Sequence, residues 1–220
     1  MKQQRKILYS GLLLLGGFIL WTAAVYFADV QAIGPQGSTV GLATVNGFFH
    51  HLTGIHMTLY VITDWLGLIP IGIMVGFAIL GLIQWIKRKH IGKVDRSLLI
   101  LGLFYVVVMA VYLFFEQVVI NRRPVLIDGF LEASYPSSTT TLVLCVMPTA
   151  LWQFRSRIQN GVFRCCISCL ISLFTLFMVV GRLLSGVHWL SDIVGGIFLS
   201  AGLTTLYRFA CGKSGKEKIR

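Results

Sequence analysis

The sequence predicts an all-α, polytopic membrane protein with six transmembrane helices and both termini on the cytoplasmic side. Three observations predict it. Apolar residues make up 56% of the 220 positions and charged residues only 12%, whereas a water-soluble domain carries about 25% charged residues. Six apolar stretches are long enough to cross a hydrocarbon layer of roughly 30 Å as helices. The basic residues gather in alternate connections, the pattern that sets orientation in a bilayer. The same composition excludes a disordered chain, which needs low hydrophobicity. All 220 residues are read as one membrane-embedded domain.

The first stretch, Ile7–Ala28, follows Lys2, Arg5 and Lys6. Its apolar run exceeds the core of about 7–15 residues in a signal peptide, so it is expected to stay as an anchor. The connection from Asp29 to Met57 is Gly-rich early. Its later half reads as a short amphipathic helix lying at the interface and covering an outer site. The second stretch, Thr58–Ile86, is long and holds Pro70, which predicts a kink or tilt. Its Gly72 and Gly76 read as a helix-packing face. The third runs over Ser97–Ile120. The fourth, Ser138–Phe154, is short and is expected to begin at a re-entrant or protein-buried turn. Val162–Val180 and Val187–Ala210 complete the set.

Charge placement gives the orientation. Sixteen of the nineteen Lys and Arg residues lie before the first stretch, after the second, after the fourth or in the tail. The net charge of +11 therefore reads as topology and attraction to anionic lipid, not as nucleic-acid binding. Arg122, Arg123 and Arg182 fall on the other side, together with Asp29, Asp64, Glu116, Asp128, Glu132 and Asp192. That asymmetry points to an outward-facing polar site. None of the five cysteines occupies an outer connection, so no disulfide is expected. The Cys165-Cys166-x-x-Cys169 cluster has no histidine nearby and reads as packing. No metal site and no cofactor are expected.

The outer ends of the third, fourth and sixth stretches carry the chemistry. Asn121-Arg122-Arg123-Pro124 follows the third, Tyr135-Pro136-Ser137-Ser138-Thr139 introduces the fourth, and Gly181-Arg182 precedes His188 and Asp192. Four residues apart on a helix, His188 and Asp192 share a face. A carboxylate there fixes the imidazole tautomer and leaves the other nitrogen free as nucleophile or base. The plainer reading is a structural hydrogen bond between helices. Arg123 and Arg182 present planar donor forks that suit phosphate oxygens. The Pro136-Ser137-Ser138 turn opening a helix adds amides and a positive dipole end, and either serine also reads as an ordinary N-cap.

The order Arg-Pro, Pro-Ser-x-x, Arg-x5-His-x3-Asp resembles the type 2 phosphatidic acid phosphatase family of membrane lipid phosphatases, and its six-span topology with an outer site agrees with the charge reading. The resemblance implies that His188 is the nucleophile, forming a phosphohistidine, and that Asp192 orients it. It implies that Arg123, Arg182 and Ser137 bind phosphoryl oxygens, with Ser138 acting through its amide and Thr139 beside them. Three positions depart from the pattern: Glu116 replaces a lysine, Thr139 replaces the histidine that protonates the leaving group, and Gly181 replaces a serine. His50, His51, His56 and Glu116 are the candidates for the missing proton donor. Without one, a lipid diphosphate, whose leaving group needs little help, becomes the favoured substrate. The implied function is metal-independent hydrolysis of a lipid phosphate or polyprenyl diphosphate at the outer face. The alternative is a catalytically impaired relative that binds or moves lipid phosphates.

Overall fold

A long apolar segment in a bilayer must satisfy its own backbone, which makes a helix the default. In the computed structural model, which describes residues 2–212, the first helix, α1 (Lys2–Phe27), runs antiparallel to the last, α8 (Leu190–Cys211). Gly11 lies against Leu206 and Gly202 against Leu15, where an added Cβ would come within 2.7 and 2.6 Å of the leucine side chains. Small residues at a contact let two backbones approach closely and gain dispersion energy along their length.

The outer connection folds as α2 (Ala43–Thr53). Val45, Phe48 and Leu52 are exposed while Ala43 and Asn46 are buried against the start of α8. The second stretch breaks into α3 (Met57–Leu66) and α4 (Leu68–Arg88). Pro70 has no N–H to give the Leu66 carbonyl, and the break falls at Gly67, between the two. Gly72 and Gly76 pack against nothing: an added Cβ at either meets no atom within 4 Å. The close helix contact expected of them is made by α1 and α8 instead.

The remaining helices are α5 (Arg96–Gln117), α6 (Ser138–Arg157) and α7 (Gly161–Leu184). Among the described residues, five helical stretches are long and apolar enough to cross a membrane: α1, the α3–α4 pair, α5, α7 and α8. The fourth stretch, α6, is 20 residues long but less apolar. It touches α4, α5, α7 and α8, and Val143, Cys145, Val146 and Ala150 are fully enclosed. Shielded in this way, it tolerates Thr149, whose hydroxyl bonds back to Cys145 and Val146, and Gln153, which donates to the Tyr207 hydroxyl at 2.7 Å. It begins at a buried turn, with Tyr135 and Ser137 almost wholly enclosed.

Antiparallel neighbours bring the basic ends together. Asp95 meets Arg88 at 3.2 Å and Arg157 at 3.7 Å, and Arg155 reaches Ser168 near the start of α7. Lys2, Arg5, Lys6 and Arg208 join that end through the α1–α8 pair. Lys213, Lys216, Lys218 and Arg220 lie outside the described residues. The opposite end of the bundle carries His188.

Candidate functional site

The turn between α7 and α8 holds His188. Gly186 sits there at φ +69°, and an added Cβ would meet the Gly54 carbonyl oxygen at 2.0 Å. The contact with the end of α2 therefore requires glycine. The Gly186 carbonyl faces His50 Nε2 at 3.1 Å, and the Ser185 carbonyl accepts the His56 amide at 2.9 Å. The segment expected to cover the site thus braces the turn that carries His188.

Asp192, in the first turn of α8, accepts the Trp189 amide at Oδ2, 3.0 Å away, the usual work of an acidic residue at a helix start. The same oxygen lies 3.6 Å from His188 Nδ1, just beyond hydrogen-bond length, and the Ser134 backbone also lies against the ring. Nε2 faces Arg123, whose Nη1 donates to it at 3.3 Å. This pattern puts the lone pair on Nε2 and the proton on Nδ1, toward Asp192.

A second set of contacts holds Asp192. Asn121 Nδ2 lies 3.4 Å from its Oδ1 and 3.3 Å from Ser191 Oγ, while Asn121 Oδ1 accepts the Gly41 amide at 3.1 Å. Asn46 on α2 accepts the Ser191 amide at 3.0 Å and donates to Ser191 Oγ at 2.9 Å and the Gly41 carbonyl at 2.7 Å. Both asparagines are about 1% exposed. The sequence reading assigns them no role. Asn46 was detectable only as a polar residue within an amphipathic helix, and Asn121 as the neighbour of the arginine pair.

Arg123 is presented by a loop folded back on itself, with its amide on the Glu132 carbonyl at 3.0 Å and the Ser134 amide on Asn121 at 2.9 Å. Its Nε lies 2.9 Å from Glu132 Oε2. Arg122 is structural: it donates to the Leu131 carbonyl, and its own carbonyl accepts Trp189 Nε1 at 2.7 Å. Arg182, in the last turn of α7, is buried; it reaches Asp64 at 3.3 Å and Thr63 at 3.4 Å and lies 4.9 Å from the centre of the Tyr60 ring. Burial, and then the charges of Arg123 and Arg182, hold the His188 pKa well below its ordinary value of 6.5. The imidazole is therefore neutral at neutral pH, the form that can attack.

A cavity of about 400 Å³ opens beside His188, with Asp64, Tyr112, Glu116, Ser138 and Thr139 on its walls and Ile71, Met74 and Leu142 among its apolar lining. The structure brings His188, Asp192 and Arg123 into direct contact and sets Ser138 and Thr139 on the same cavity. Arg182 joins them through Asp64. Ser137 stands apart: its hydroxyl donates to Thr140 at 3.0 Å and its amide to the Asp192 carbonyl at 3.1 Å. The amide tethers the start of α6 to α8, and the hydroxyl is taken up within the first turn of α6. No group of three or more His, Cys, Asp or Glu among the described residues is arranged to hold a metal ion.

A family model described as the PAP2 superfamily matches residues 99–213, just over half of the chain and all of the arginine, serine and histidine segments described above. The chain belongs to the PAP2 superfamily. Its fold is similar to that of a transmembrane PAP2-type phosphatidylglycerolphosphate phosphatase from Bacillus subtilis, with a TM-score of 0.58 over 96% of this chain and 100% of that one. The two are 19% identical, so that likeness speaks for the fold. No curated protein matches the chain. The matched residues 99–213 include Glu116, Asn121, Arg123, Ser138, Thr139, Arg182, His188 and Asp192, whereas Asn46 and Asp64 lie before them.

Proposed function

We propose that this PAP2 protein hydrolyses a lipid phosphate or polyprenyl diphosphate at the outer face of the cell membrane, without a metal, through a phosphohistidine on His188. The observation that carries this reading is the His188 ring, with Nε2 turned to Arg123 and Nδ1 turned to Asp192. Superfamily membership supports a phosphatase, and the Bacillus subtilis neighbour is one by its description.

Arg123, Arg182 and the Ser138 amide would hold the phosphoryl oxygens while Nε2 attacks phosphorus. The proton stays on Nδ1, and Asp192 stabilises the cation that forms on the ring. Glu132 and Asp64 now occupy the two arginines, but their side chains are 45% and 56% exposed. Such surface carboxylates exchange readily for a phosphate, which carries more charge. The apolar lining of the cavity suits a lipid chain. The outer-face assignment is supported by the basic cluster at the opposite end of the bundle.

Thr139 favours a second reading, an impaired relative that only binds lipid phosphates, because a threonine hydroxyl cannot serve as the acid. Phosphate release from purified protein, tested on lipid monophosphates and diphosphates in chelator, separates the two. Turnover together with an acid-labile, alkali-stable phosphoprotein is expected. Binding that needs Arg123 and Arg182 without any turnover would establish the second reading instead.

A further inference from the structure

The phosphohistidine reading leaves one proton unaccounted for. When His188 Nε2 bonds to phosphorus, the oxygen that leaves must be protonated if it departs as an alcohol, and such proton transfer is typically worth about 10²–10⁴-fold. Thr139 cannot supply it. The outer-loop histidines do not line the cavity: His50 and His56 face the Gly186 and Thr53 carbonyls. Tyr135 lines the cavity, but its hydroxyl is 2.7 Å from Thr22.

Two carboxyl groups share the cavity with His188 and Thr139, namely Asp64 and Glu116. Asp64 pairs with Arg182 at 3.3 Å and is the carboxylate that a bound phosphate displaces from that arginine, which gives it the role of counter-ion in the empty site. Glu116 makes no ion pair among the described residues. The Tyr112 side chain, one turn earlier on α5, lies beside it on the same cavity. The cavity walls also include Leu68, Ile71 and Met109.

We infer that Glu116 is the acid and base of this site, taking over the task that Thr139 cannot perform. The inference rests on the phosphohistidine reading above. In the first step the bond from Nε2 to phosphorus forms, the bond from phosphorus to the leaving oxygen breaks, and the Glu116 carboxyl proton goes to that oxygen. In the second, a water oxygen attacks phosphorus and gives its proton to the Glu116 carboxylate. The nitrogen–phosphorus bond then breaks, returning the lone pair to Nε2 and releasing phosphate. Each cycle restores both side chains.

The test compares two leaving groups in one protein. Glu116→Gln keeps the size and the contact with Tyr112 but has no proton to give. Phosphate release is measured from phosphatidic acid, which expels an alkoxide, and from a polyprenyl diphosphate, which expels a delocalised phosphate ester. The variant is expected to lose about 10²-fold or more on the monoester and less than a tenth of that factor on the diphosphate. Diphosphate turnover also shows that the variant is folded. Thr139→His in the Glu116→Gln background is expected to restore monoester turnover. Equal losses on the two substrates, no loss on either, or the selective loss appearing in Asp64→Asn instead would overturn the assignment while leaving the phosphatase reading standing. A wild-type protein that releases phosphate from neither substrate overturns both.

Discussion

The two sides of His188 are built differently. Behind Nδ1, Asp192, Ser191, Asn121 and Asn46 interlock through contacts of 2.9–3.4 Å drawn from α2, α8 and the loop after α5. Beside the ring lies a cavity of about 400 Å³ whose polar walls include Thr139, Glu116 and Asp64. Buried polar groups tolerate little change once each satisfies another, whereas cavity walls can change residue type without unfolding the protein. The departures from the family pattern at Glu116 and Thr139 fall on the cavity side. The structure thus holds His188 within a bonded network and leaves the cavity walls free to vary.

The largest effect expected on the fixed side is that of His188→Ala. It removes the nitrogen proposed as nucleophile, so turnover and the phosphoprotein are expected to disappear on monoester and diphosphate alike, while size-exclusion behaviour in detergent is unchanged. Retained phosphate release would show that the nucleophile lies elsewhere.

Asn46→Leu should break the network without touching the cavity. It strands the Ser191 amide and the Gly41 carbonyl, each now bonded to Asn46, and an orphaned buried group costs about 1–3 kcal/mol. Thermal unfolding in detergent should shift down accordingly, with turnover falling by a similar factor on both substrates. A change in the ratio between substrates would mean that the two sides of His188 are coupled.

Much of this was legible in the sequence, and the division follows the same two sides. Arg123 and Arg182 stand out because they fall on the side opposite the other basic residues, and His188 and Asp192 because four positions apart on a helix they share a face. The kink in the second stretch was readable from Pro70. Asn46 was not, since its partner Ser191 is 145 positions away and a lone asparagine carries no spacing. The α6 helix reads as a short span because the sequence shows low apolarity but not the four helices that screen it. The resemblance places Ser137 with the phosphate ligands, but its hydroxyl turns to Thr140 three residues on and its amide to the Asp192 carbonyl, the second a tertiary contact that no local pattern records.

A smaller effect concerns pH. The His188 pKa is held below 6.5 in the folded protein by burial and by Arg123 and Arg182. Below 6.5 the unfolded chain takes up a proton that the folded one refuses. The stability contributed by this group is therefore present above about 6.5 and declines as the pH falls from there toward the folded value. Nitrogen-15 spectra of labelled histidine should show His188 still neutral just below 6.5, and Arg123→Gln should raise its titration point. A titration at the ordinary value would mean that Nε2 is solvated and the two arginines are remote.

The smallest effect expected is that of Thr139→His in the otherwise unchanged protein, and it tests the cavity side most finely. A histidine there restores, on the cavity that His188 also lines, the acid of the pattern that the sequence resembles. If no group now protonates the leaving oxygen, monoester turnover should rise by about 10²-fold or more and diphosphate turnover far less, because only the alkoxide needs the proton. If Glu116 already does so, the added histidine is redundant and monoester turnover should change by only a few-fold. The same substitution made together with Glu116→Gln should then recover most of what Glu116→Gln lost. Two residues serving one proton transfer do not contribute additively, and a double-mutant cycle measures that departure directly. Additive effects would mean that Glu116 and Thr139 act on different steps, and the cavity side would then be two sites rather than one.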